Sequence, residues 1–63
     1  MLYSYEGNLK TIRIVYKENW SEEIKNVYRI DYSNGKYVIH YSSEKAINIR
    51  TIPKGKISTI EDA

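Results

Sequence analysis

The sequence predicts an all-β fold: a small antiparallel meander of five or six short strands, arranged as a twisted sheet or as a small SH3-like barrel. Two observations carry that expectation. Apolar and polar residues alternate with a period of two over several stretches, and the stretches are separated by turn chemistry such as Gly7-Asn8, Asn34-Gly35 and Pro53. Sixty-three residues make one small β domain, residues 1–63, with no linker, repeat or low-complexity run.

The first expected strand is LYSYE (2–6), closed by a turn at Gly7-Asn8. LKTIRIVYK (9–17) follows, with Ile12, Ile14 and Tyr16 on one face and Thr11, Arg13 and Val15 on the other. ENWSEEIKN (18–26) breaks the alternation. Asn19 with Glu22 three residues later resembles a capping box, so one short helical turn near residues 19–25, or a tight loop, is expected there.

YRIDYSNGKYVIHY (28–41) is the clearest element, and its register can be derived. Asn-Gly favours a two-residue type I′ turn, whose central residues both need positive φ. Ser33 then faces Lys36, Tyr32 faces Tyr37, Asp31 faces Val38, Ile30 faces Ile39, Arg29 faces His40 and Tyr28 faces Tyr41. One face is apolar or aromatic throughout: Tyr28, Ile30, Tyr32, Tyr37, Ile39 and Tyr41. The other carries Val27, Arg29, Asp31, Val38 and His40. SSEK (42–45) turns the chain again, and AINIRTI (46–52) is expected to place Ile47 and Ile49 inward, with Asn48 and Arg50 outward. Pro53 ends that strand because it cannot donate to a ladder. ISTIE (57–61) closes the sheet, and the odd spacing of Ile57 and Ile60 calls for a bulge or a 3₁₀ turn.

Composition narrows the functional classes. There is no cysteine and one histidine, so neither a disulfide framework nor a structural zinc site is expected. A chain this small is marginally stable alone, which makes self-association an expectation in its own right. Net charge is +2, short of a polycation that declares nucleic-acid binding by charge alone. No stretch has signal-peptide or membrane-span character, so a cytoplasmic site and no membrane partner are expected. The richness in Ile, Lys, Asn and Tyr, all specified by AT-rich codons, hints at a low-GC genome and a mobile element.

Catalytic chemistry is not visible. His40 sits on a strand face with only Asp31 nearby to orient it, and Glu22 and Glu23, as sequence neighbours, point apart. The glycines, Gly7, Gly35 and Gly55, read as turns and not as a phosphate-binding loop. The chain reads as a non-enzyme with no cofactor and no metal.

Two surfaces remain. Seven tyrosines and one tryptophan occur with no phenylalanine. Such side chains keep an apolar body and a polar tip, which suits the core of a small domain and also suits protein interfaces. Trp20, Tyr28, Tyr32, Tyr37 and Tyr41 are therefore the expected partner-binding residues, with Trp20 either plugging an open end of the sheet or standing exposed as an anchor. The alternative surface is nucleic-acid-binding: Arg13, Arg29 and Arg50 fall on the outward side by strand parity, with His40 and Asn48 beside them. The favoured reading is a non-catalytic binding module acting by protein–protein interaction, through self-association or through inhibition or modulation of a larger partner.

Overall fold

The computed structural model describes residues 3–63; Leu2, expected in the first strand, lies outside them. The fold is a five-stranded antiparallel sheet: β1 (Tyr5–Tyr16), β2 (Ser21–Ser33), β3 (Lys36–Ser42), β4 (Ile47–Pro53) and β5 (Ile57–Asp62). A 3₁₀ turn, Lys54–Lys56, links β4 to β5. The spatial order is β4-β3-β2-β1-β5. The sheet is thus open, with β4 and β5 as its edges, and the closed barrel is not formed.

That order has a mechanical consequence. A 3₁₀ residue advances about 2 Å, whereas neighbouring strands lie about 4.8 Å apart, so three residues cannot cross a flat five-stranded sheet. The sheet must coil until its two edges approach at this end. The turn is held there by backbone bonds: the Lys17 amide donates to the Lys56 carbonyl (3.0 Å) and the Lys54 amide to the Gly35 carbonyl (2.9 Å). Coiling gives a concave face that holds the core, with Ile12, Ile14, Val27 and Ile39 at zero exposure. Tyr16, Ile24, Ile30, Tyr37, Ile52, Ile57 and Ile60 complete it. Each such aliphatic side chain contributes on the order of 1.5–3 kcal/mol on leaving water.

The central hairpin has the derived register over five of its six pairs, from Ser33↔Lys36 to Arg29↔His40. Asn34 (φ 51°) and Gly35 (φ 77°) supply the two positive dihedrals that the type I′ turn requires. The sixth pair differs. Tyr41 faces Val27, not Tyr28, because Tyr28 is the extra residue of a bulge. The bulge moves Tyr28 off the core face and puts Val27 on it, which reverses the expected placement of both.

Bulges account for the other departures. No turn forms at Gly7-Asn8; β1 runs through, spending four steps from Glu6 to Lys10 while β2 spends two from Arg29 to Val27. β2, at 13 residues, is long enough to pair both halves of β1, so the chain loops outward there instead of starting a sixth strand. The Tyr5 hydroxyl donates to the Asn8 carbonyl across that irregularity. The helical turn near residues 19–25 is also absent. The Tyr16 amide donates to the Trp20 carbonyl (2.8 Å), closing a three-residue hairpin loop with Asn19 at φ 64°. Such a loop needs its last residue in the left-handed region, which Asn tolerates. Asn26, at φ 60°, lies in a second β2 bulge between Ile24 and Val27, and this is why residues three apart are both buried. The bulge expected between Ile57 and Ile60 is found at Ser58, so both isoleucines reach the core.

β4 shows the largest correction. Its ladder pairs Tyr41 with Asn48, Ile39 with Arg50 and Tyr37 with Ile52. Directly opposed residues share a face, so Asn48, Arg50 and Ile52 point to the concave side. Ile47 and Ile49 point outward and are 71% and 59% exposed. The expected assignment was inverted because two isoleucines outvote one by apolar count, whereas the ladder to β3 decides by register.

Candidate interaction surface

The parity of β4 also determines which backbone groups are free. The Ser43 amide donates to the Ala46 carbonyl (2.9 Å) at one end of the β3–β4 ladder, and the Lys54 amide to the Gly35 carbonyl (2.9 Å) at the other. Antiparallel partners alternate between hydrogen-bonded and non-bonded pairs. Both ends therefore agree that Asn48, Arg50 and Ile52 bond to β3, with Ala46 and Lys54 bonded to Ser43 and Gly35 just beyond its ends. The N–H and C=O of Ile47, Ile49 and Thr51 then point away from β3 into the free edge. Pro53 falls on the same parity, where its missing N–H removes nothing from the ladder.

These residues also present their side chains on the convex face. Ile49 lies beside His40, which in turn faces Arg29; Thr51 lies beside Val38, and Ile47 beside Ser42. The result is a β-branched edge, apolar at its two isoleucines, with open backbone groups. Soluble proteins usually blunt such an edge with charge. β5 does so: Asp62 pairs with Lys10 (2.8 Å) and Glu61 with Arg13 (3.3 Å). The sole charged residue of β4, Arg50, is turned inward.

Arg50 reaches across the concave face to Glu22 on β2 in a two-pronged contact, 2.6 Å and 3.0 Å. Glu22 is brought there by its pairing with the buried Ile14. The Tyr16 hydroxyl donates to the same carboxylate, and the Trp20 ring stacks on the Tyr16 ring with centroids 4.0 Å apart and planes 11° from parallel. The Arg50 hydrogen bonds hold the Glu22 carboxyl below the usual carboxylate range, and the pairing raises Arg50 in turn. Burial, reinforced by the neighbouring carboxylate, pushes the Tyr16 hydroxyl up to about 12. This cluster stitches β4, β2 and β1 together over the core. Its charges are spent on one another.

The expected partner-binding set does not form one surface. Trp20 is half-exposed on the β1–β2 loop. Tyr37 is buried and packs edge-on against the exposed Tyr32 (5.4 Å) at the far end of the β2–β3 hairpin. Tyr41 is half-buried against the core, and Tyr28 sits near His40 at a ring distance of 6.0 Å. The arginine set is divided as well. Arg13 lies on the convex face between Glu23 (3.0 Å) and Glu61, and Arg29 lies there beside Asp31 (2.8 Å) and Glu6 (3.9 Å). Arg50 is on the opposite face. His40 stands 3.3 Å from Asp31, and the Asn48 side chain caps the β3–β4 loop through Ser43 and Ala46. The patch expected from strand parity is therefore two paired arginines and a third one facing away.

An open cleft of about 410 Å³ adjoins Ile24, Asn26, Tyr41, Ser42 and Arg50, and a second, of about 270 Å³, lies between Trp20, Arg50, Pro53 and Lys56. Among the described residues no cluster of His, Asp and Glu converges as a metal-ligand set. Among the described residues no helix is long and apolar enough to cross a membrane. Comparison with protein-family models, with curated proteins and with solved structures gives no match.

Proposed function

We propose that this chain is a small non-catalytic binding module that works by protein–protein contact through the free edge of β4. The observation that carries the reading is the combination, on Ile47, Ile49 and Thr51, of backbone groups unpaired among the described residues with exposed β-branched side chains. An edge of this kind accepts an added strand: the backbone provides the ladder, and alternate side chains provide selectivity. The tyrosines then serve mainly the fold, as core and rim of a domain with little interior.

The reading is tested in the cells that naturally express the protein, with a photo-crosslinking residue placed at position 47 or 49 and, as a control, at position 59 on the opposite edge strand. Covalent adducts are expected from 47 and 49 and not from 59, and their mass reports the size of what is bound. Absence of adducts of any mass from positions 47 and 49 contradicts the reading.

A further inference from the structure

We infer that the occupant of the β4 edge is the β4 edge of a second copy, paired antiparallel about a two-fold axis at Ile49. This rests on the preceding reading and names its partner. The edge is self-complementary. With the axis at Ile49, each Ile49 faces its counterpart, and Ile47 faces Thr51 of the second copy. Every edge-pointing N–H from Ile47 to Thr51 then meets an edge-pointing carbonyl, giving about six bonds from three donors on each of two chains.

Neighbouring registers are worse on the same criteria. An axis at Arg50 places Ile47 against Pro53, whose ring stands where a donor would be and leaves the Ile47 carbonyl unmet. An axis at Asn48 pushes Thr51 against Lys45 of the loop and shortens the ladder. At Ile49 the edge donors from Ile47 to Thr51 face neither a proline nor the loop. The convex face gains a continuous apolar row of Ile47, Ile49 and Thr51 from both chains, which covers the side chains left 71% and 59% exposed in one copy.

The assembly also closes. A two-fold contact uses both β4 edges and leaves only β5 at the outer ends. There Glu61 and Asp62 oppose further strand addition, so a dimer forms and a filament does not. Strand pairing with a single side-chain row is smaller than a standard interface, which places the dimer in the weak, concentration-dependent class.

Sedimentation equilibrium tests this from about 10 μM to about 1 mM, the range in which contacts of that class assemble. The wild-type mass should rise from 7.4 kDa toward twice that value. Ile49→Lys puts charge on the axis, and Thr51→Pro removes an edge donor without touching a bond to β3. Both should remain at single-chain mass with an unchanged far-UV circular dichroism spectrum. Isotope-filtered NOEs on mixed labelled wild-type protein should connect Ile49 methyls of the two copies, a readout that needs no variant. Wild-type protein that stays at 7.4 kDa throughout overturns the inference. So does a dimer that survives in the folded variants, or one that shows no Ile49 contact between copies. Crosslinks from positions 47 and 49 only to a heavier protein, with the free chain monomeric, also overturn it while leaving strand-edge binding intact.

Discussion

Arg50 and Glu22 meet in a two-pronged ion pair that spans β3, with Nη1–Oε1 at 2.6 Å and Nη2–Oε2 at 3.0 Å. The contact joins an edge strand to the centre of the sheet across the concave face. It also explains why the single charge of β4 leaves that strand's edge unguarded.

The pair is partly shielded, with side-chain exposures of 39% and 23%, so its worth lies between that of a surface pair and that of a fully buried one. Arg50→Ala is expected to cost about 1–3 kcal/mol, since it leaves the Glu22 carboxylate half-buried with only Tyr16 as donor. A double-mutant cycle with Glu22→Gln, followed by urea denaturation, should give a coupling of about 1 kcal/mol. Additive effects would mean that the two side chains do not act as a unit.

The same cluster sets a pH signature at both ends of the scale. Glu22 has its folded pKa depressed, so its contribution is present above the unfolded value and is lost as pH falls through the folded one. Tyr16 has its folded pKa raised from the ordinary tyrosine value of about 10 to about 12, so its contribution is complete below about 10 and is lost as pH rises through about 12. Ultraviolet titration should show the Tyr16 step near pH 12, and Glu22→Gln should bring that step down. Stability should also begin to fall below about pH 4.5, the ordinary value for a glutamate carboxyl.

The isoleucines of β4 give a direct contrast. Ile52 is buried against Tyr37, and Ile52→Ala should cost about 2–5 kcal/mol, enough to unfold a marginal domain at moderate denaturant. Ile47→Ala and Ile49→Ala, in dilute solution, should each stay within about 0.5 kcal/mol of wild type. Equal losses at all three positions would place Ile47 and Ile49 in the core and undo the inverted parity.

How much of this was legible in the sequence depends on how local each determinant is. Asn34-Gly35 carries its own geometry, so five pairs of the central hairpin follow from the turn type alone. The odd spacing of Ile57 and Ile60 likewise announces its bulge. The bulges at Tyr28 and Asn26 have no comparable signal, because an Asn in a polar stretch or a Tyr in an alternating one looks regular until the partner strand is known. Gly7-Asn8 is the opposite case: local turn chemistry was overruled by a β2 long enough to pair both sides of it.

The face of β4 was within reach. Treating Glu44-Lys45 as a two-residue loop puts Ser43 opposite Ala46, and the register then carries Ile52 to Tyr37 and Arg50 to Ile39. Apolar counting within the strand points the other way, and it conceals the exposed edge. Glu22, read as a helix-capping residue, could be recognised as the partner of Arg50 only once β2 was known to begin at Ser21.

The central claim is that Ile47, Ile49 and Thr51 hold the open backbone groups of the β4 edge, and residue-resolved amide hydrogen exchange tests it most directly. In dilute solution those three amides should exchange fast while Asn48, Arg50 and Ile52 are protected, an alternation along one strand. Raising the concentration should slow the first three selectively. Fast exchange at Asn48, Arg50 and Ile52 with protection at Ile47, Ile49 and Thr51 in the dilute chain would contradict the account, whereas no response of those three to concentration would remove the self-pairing alone.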